Sequence, residues 1–146
     1  MDFEQLFLEQ FPNLHDKYSL KIESWDSRTY AVIGTSFVLL FVGDVAGCVD
    51  VIYIIRNKED ELEGWELGWY IGMMDKEQDR SGVVERKTIV DGWRNNIILF
   101  VRALERYCPG FFAGDRRWMR DYFESGHAYG PEPIRGVDAQ MANRYI

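Results

Sequence analysis

Cys108 and His127 have the side-chain types of a nucleophile and its base. Such a pair must lie in hydrogen-bond contact. The sequence places Cys108 at the C-terminus of a helix, where the dipole disfavours a thiolate, so a buried structural thiol is the expectation. Glu59 and Glu63 have the chemistry for paired acid–base work, but they stand in a charged run that reads as a solvated loop. Asp75-Lys76-Glu77-Gln78-Asp79-Arg80-Ser81-Gly82 has the outline of a calcium loop. It carries Arg80 where the sixth position needs glycine and Arg86 where the twelfth needs glutamate. The two histidines, His15 and His127, are far apart, and Cys48 and Cys108 match no zinc spacing. G-x-S-x-G, H-E-x-x-H, the P-loop and G-x-G-x-x-G are all absent. The expectation is a protein that is not an enzyme, with no catalytic residue, no metal and no cofactor.

What remains distinctive is negative charge. The formal net charge is −7, which argues against a nucleic-acid partner, since phosphates call for Lys and Arg. The charge is uneven: residues 1–79 hold 16 acids against 6 bases, and residues 80–146 hold 8 against 11. Glu59, Asp60, Glu61 and Glu63 lead into Glu66 beside Trp65 and Trp69. Acids next to large aromatics suit a basic protein partner, with charge steering the encounter and aromatics anchoring it. Glu59, Asp60, Glu61 and Glu63 are therefore the first candidates for partner contact, and Asp75, Glu77 and Asp79 the second. The tryptophans themselves are expected to face inward.

The elements that must position these residues follow from periodicity. At 146 residues, 47% hydrophobic and 15% aromatic, the chain is long and apolar enough for one core, and 1–146 reads as a single domain. Residues 2–11 repeat Phe3, Leu6, Phe7 and Phe11 at helical spacing, and Pro12 breaks the pattern. From about residue 17 the period becomes two, with Tyr18, Leu20 and Ile22 on one face. Residues 30–33 form a short strand, and 36–42 are apolar enough for a central strand covered on both faces. A tight glycine-flanked turn at 43–47 leads to the β-branched run 48–55. In 64–74, Trp65, Leu67, Trp69, Ile71 and Met73 alternate as in a strand, although Gly64, Gly68 and Gly72 also repeat at helical spacing. Residues 88–107 form an amphipathic helix ended by Cys108-Pro109-Gly110, and Asp115 can cap a last helix over 116–124. The tail 127–146 is expected to be irregular until a short helical turn near its end. The predicted fold is α+β: a mainly antiparallel sheet of four or five strands, with an N-terminal helix and two C-terminal helices packed on it.

Two hydrophobic runs, Phe37-Val38-Leu39-Leu40-Phe41-Val42 and Val49-Asp50-Val51-Ile52-Tyr53-Ile54, precede the long helix and Pro109-Gly110-Phe111-Phe112-Ala113-Gly114-Asp115. In this order of elements, residues 17–124 resemble small bacterial immunity proteins that accompany polymorphic toxins of contact-dependent inhibition or type VI secretion. The resemblance implies a catalytically inert, cytoplasmic protein that binds a secreted toxin's C-terminal domain, often a basic nuclease, and blocks it. It carries over no contact residue. No basic region precedes an apolar stretch at Met1-Asp2-Phe3-Glu4, and no apolar run is long enough to cross a bilayer, so no membrane partner is expected. Two alternatives remain open: an acidic secretion chaperone that holds an effector segment as a homodimer, and a small-ligand-binding domain or enzyme with a deep apolar pocket. Whether the protein is a monomer or a homodimer is left open.

Overall fold

The computed structural model describes residues 1–146. Helix α1 (Phe3–Gln10) starts where Asp2 accepts the Gln5 N–H at 3.0 Å. Pro12 ends it and also opens a second helix, α2 (Pro12–Tyr18), which the sequence reading assigned in part to a strand. A proline ring pre-sets the backbone for the first turn of a helix, so the residue that breaks one helix can start the next. Ser19, in the left-handed region at φ 51°, then turns the chain into the sheet.

The sheet has six antiparallel strands in the order β1 (Lys21–Ser24), β2 (Thr29–Ile33), β3 (Val38–Gly43), β4 (Val49–Arg56), β5 (Leu62–Glu66) and β6 (Tyr129–Pro133). The first five form a simple meander. The sixth comes from the tail that was expected to be irregular. All five β6 side chains are exposed, so no apolar alternation marks it. Its prolines are tolerated because it is an edge strand.

Alternation sends the two sheet faces to two different covers. Tyr30, Val32, Leu39, Phe41, Val51 and Tyr53 enter the main core with α1, α2 and two later helices, α4 (Ile89–Tyr107) and α5 (Trp118–Glu124). Ala31, Ile33, Val38, Leu40 and Ile54 point the other way. They are buried under Ile134, Ala142 of α6 (Gly136–Ala142), Tyr145 and Ile146. Strand β3 is thus covered on both faces, as its unbroken apolar run predicted. The long helix α4 begins at a capping box, in which the Thr88 hydroxyl accepts the Asp91 N–H and the Asp91 carboxylate accepts the Thr88 N–H.

The α+β class and the antiparallel sheet stand. The details change to six strands and six α-helices. One of the added helices, α3 (Gly68–Met74), falls inside the segment read as a strand over 64–74, and it makes the feature described next.

Candidate functional site

Strand β5 stops at Glu66 because that side chain folds back on its own chain. Its carboxylate accepts the Gly68 N–H at 2.9 and 3.0 Å and the Val51 N–H at 3.3 Å. Leu67, fully buried, takes helical dihedrals, and α3 starts behind it. This changes the exposure of the residues that follow. Trp65 remains on the strand and packs edge-on against Tyr122 and Phe123, with ring centroids 6.1 and 4.9 Å away. Trp69 is carried out to 74% exposure and Met73 to 50%. The expectation that both tryptophans face inward therefore holds for Trp65 and is corrected for Trp69.

Trp69 and Met73 form one wall of a cleft of about 590 Å³. Phe100 and Asn96 of α4 and Tyr129 of β6 also line it, and Cys48, Asp50 and Glu66 supply its polar rim. The Tyr122 hydroxyl fixes the Tyr129 end: it donates to the Glu66 carbonyl at 2.6 Å and accepts the Tyr129 N–H at 2.9 Å. The volume falls within the range of small-molecule sites, but those bury most of their ligand. A cleft walled by an indole this exposed lies open along one side.

The rim is negative. No Lys, Arg or His lines the cleft, and none of the five ion pairs in the structure involves Asp50 or Glu66. Burial holds the Glu66 carboxyl above its ordinary value, and the charge of Asp50 adds to this. The N–H donors of Gly68, Val51 and Trp69 pull the other way. The folded state therefore binds the Glu66 proton more tightly than the unfolded chain does. The contribution of Glu66 to stability is fully present below its unfolded value of about 4.5 and is lost as pH rises through the raised folded value. Chemical denaturation of the wild type and Glu66→Gln across this range is expected to show the variant gaining on the wild type as pH rises. A pH-independent difference between the two would contradict the assignment.

No protein-family model, curated protein or solved structure matches the chain.

The residues expected from the sequence to contact a partner fall into two separate places. Glu59, Asp60 and Glu61 are exposed on the β4–β5 turn, where the Asn57 side chain accepts the N–H groups of Glu59 and Glu61, both at 3.0 Å. Asp60 lies 3.7 Å from Arg56. Glu63 is half-buried on β5 and accepts from Asn57 at 3.4 Å. This turn sits at the opposite end of β5 from α3, so the length of the strand separates these acids from Trp69. Asp75, Glu77 and Asp79 follow α3, and basic residues of α4 hold the chain at Glu77 and Asp79. Arg102 lies 3.9 Å from the Asp79 carboxylate and donates to the Asp79 and Ser81 carbonyls, and Arg106 donates to the Glu77 carbonyl at 3.3 Å. Glu66 is the member of the acidic run that reaches the cleft. Asp50, Met73 and Tyr129 were not singled out. The signal that could have found the site is the helical glycine spacing of 64–72, the rejected alternative to the strand.

The two cysteines differ. Cys108 is fully buried and its thiol is pushed up to about 12, mainly by burial. Cys48 is exposed and lines the cleft, and its N–H donates to the Asp44 carboxylate in the turn before β4. A thiol-reactive chromophore is expected to modify one cysteine rapidly in the native protein and the second only after denaturation. Two fast thiols would show that the Cys108 core is open.

Proposed function

We propose that this chain is a non-catalytic, cytoplasmic immunity-type protein that binds a cognate toxin domain one to one and neutralises it. The observation that carries the reading is an indole exposed at 74% on a short helix, beside Met73 and Tyr129, over an apolar cleft with an unpaired acidic rim. Trp and Tyr at the centre of a desolvated patch are the usual anchors of protein interfaces. Isolated proteins seldom leave large aromatics grouped in the open without a partner to cover them. The net charge of −7 selects a basic partner, in keeping with the resemblance to immunity proteins of nuclease toxins.

Within this reading the acids divide by role. Asp50 and Glu66 sit where contact is made. Glu59, Asp60, Glu61 and Glu63 lie at the other end of β5 and act through their field, drawing a basic domain toward the sheet. Asp75, Glu77 and Asp79 contribute less field, because Arg102 and Arg106 lie against their loop.

The test begins with the neighbouring gene: where it encodes a large secreted toxin, that toxin's C-terminal domain is co-expressed with this chain. A one-to-one complex and protection of the host cell are expected. Reversing Glu59 and Glu61 to lysine is expected to slow association roughly tenfold at low salt and to have little effect at high salt. If the two proteins do not associate, the reading falls. Association unaffected by the reversal at low salt would remove the steering role from the β4–β5 turn.

A further inference from the structure

Gly72 lies in the interior of α3 and has no packing reason to be glycine. A Cβ at Gly68 would stand 2.8 Å from the Glu66 carboxylate, and one at Gly64 would stand 2.6 Å from Ile134. A Cβ at Gly72 would meet nothing within 4 Å, and its backbone does not require a left-handed conformation. Glycine is the poorest helix former after proline. The helix thus gives up stability at a position where alanine would fit, and the space left open belongs to the cleft.

The chemistry around that space narrows what can fill it. The exposed faces of Trp69 and Tyr129 offer π surface to a cation. Asp50 and Glu66 supply negative charge with no cation of the protein's own beside them. Glu66 Oε1 accepts from Gly68 and Val51 and Oε2 from Gly68, and the Trp69 N–H also lies against the carboxylate. An anion would be repelled, and an apolar side chain would leave the rim acids against apolar surface without a partner. A guanidinium suits both halves of the site, since it stacks flat on an aromatic face and is less strongly hydrated than an ammonium.

We propose that the Trp69 cleft seats one arginine side chain of the basic partner, stacked on the aromatic wall and facing Asp50 and Glu66, with the absent side chain of Gly72 leaving room along the lining. This rests on the protein-binding reading and specifies its central contact.

The experiment is a titration of the isolated, isotope-labelled protein with N-acetyl-arginine methylamide, following the indole and backbone N–H resonances. The citrulline counterpart serves as a neutral probe of nearly the same shape. Saturable shifts centred on Trp69 and Tyr129 are expected with arginine and not with citrulline. Gly72→Leu, which adds a side chain to the cleft lining, and Glu66→Gln, which removes the charge, are each expected to weaken the arginine effect about tenfold or more. Gly72→Ala is expected to raise the thermal midpoint while weakening arginine binding, a pairing that a merely structural glycine would not give. It carries the test if the leucine variant does not fold. Equal shifts with citrulline, no saturable shift with arginine, or undiminished arginine binding in Gly72→Ala and Glu66→Gln would each overturn the proposal. The partner complex separates this from the broader reading: a toxin domain that still binds when arginine does not removes the seat alone. A seat that takes arginine without any bound toxin domain removes the broader reading alone.

Discussion

Replacing Trp69 with alanine is expected to weaken the proposed complex with a toxin domain by about 30-fold or more, the loss that marks an interface hot spot, while leaving the fold intact. The two halves of this expectation come from the same fact. A side chain exposed at 74% contributes little to the core, so the change in unfolding free energy should stay within about 0.5 kcal/mol. Its removal, by contrast, takes away a large exposed aromatic surface at the cleft and the stacking face of the proposed arginine seat. Trp65→Ala should behave in the opposite way. That indole packs against Tyr122 and Phe123, so its loss falls on stability. Calorimetric titration combined with thermal unfolding separates the two effects. If Trp69→Ala binds like the wild type, the contact surface lies elsewhere.

Deleting residues 134–146 is expected to destabilise the protein by about 5 kcal/mol or more, enough to consume most of the stability of a domain this size. Ala31, Ile33, Val38, Leu40 and Ile54 are each 3% exposed or less, and the segment from Ile134 to Ile146 is what packs over them. Without it one face of the sheet becomes a continuous apolar surface, which should bind apolar dyes and associate. Arg56→Ala is the milder form of the same test. Arg56 donates to the Ile146 carbonyl at 2.7 Å and to the Asn143 side chain, clamping the segment from the end of β4. Its loss is expected to cost about 1–2 kcal/mol. A truncated chain that stays soluble with an unchanged denaturation midpoint would mean that this cover is dispensable.

The parts of the fold that were legible in the sequence are those whose side chains alternate between core and solvent, or run apolar on both faces. Strands β3 and β4, helix α1 and the long helix α4 all bury a regular stripe, and each lies within a residue or two of its expected place. The misses have a common physical origin in backbone decisions that leave no periodic trace. Strand β6 buries nothing, and its existence depends on the hydrogen-bonding edge of β5. Helix α2 begins at the proline that looked like a stop. The segment 64–74 satisfies both a period of two and a glycine period of four, and what decides between them is where the Glu66 carboxylate folds back, which periodicity does not register. The cleft was missed for that same reason: its aromatic wall exists only if α3 is a helix. The acidic candidates were found because charge is visible in composition. Their separation from Trp69 was not, because it depends on the direction in which β5 runs.

The late arrival of the sixth strand along the chain has a consequence for how the molecule forms and breathes. Strands β1 to β5 pair with immediate neighbours through short turns, whereas β6 must return across residues 67–128 to reach β5. Local hairpins close early and at small entropic cost, so the return strand is expected to anneal last and to peel away first. Its amide protons should therefore exchange through local opening, while those of β3 wait for global unfolding. Tyr129 rides on this strand, so the part of the cleft that it lines is expected to open with it. An occupant that gripped Tyr129 would slow amide exchange along the whole strand, in residues it never touches.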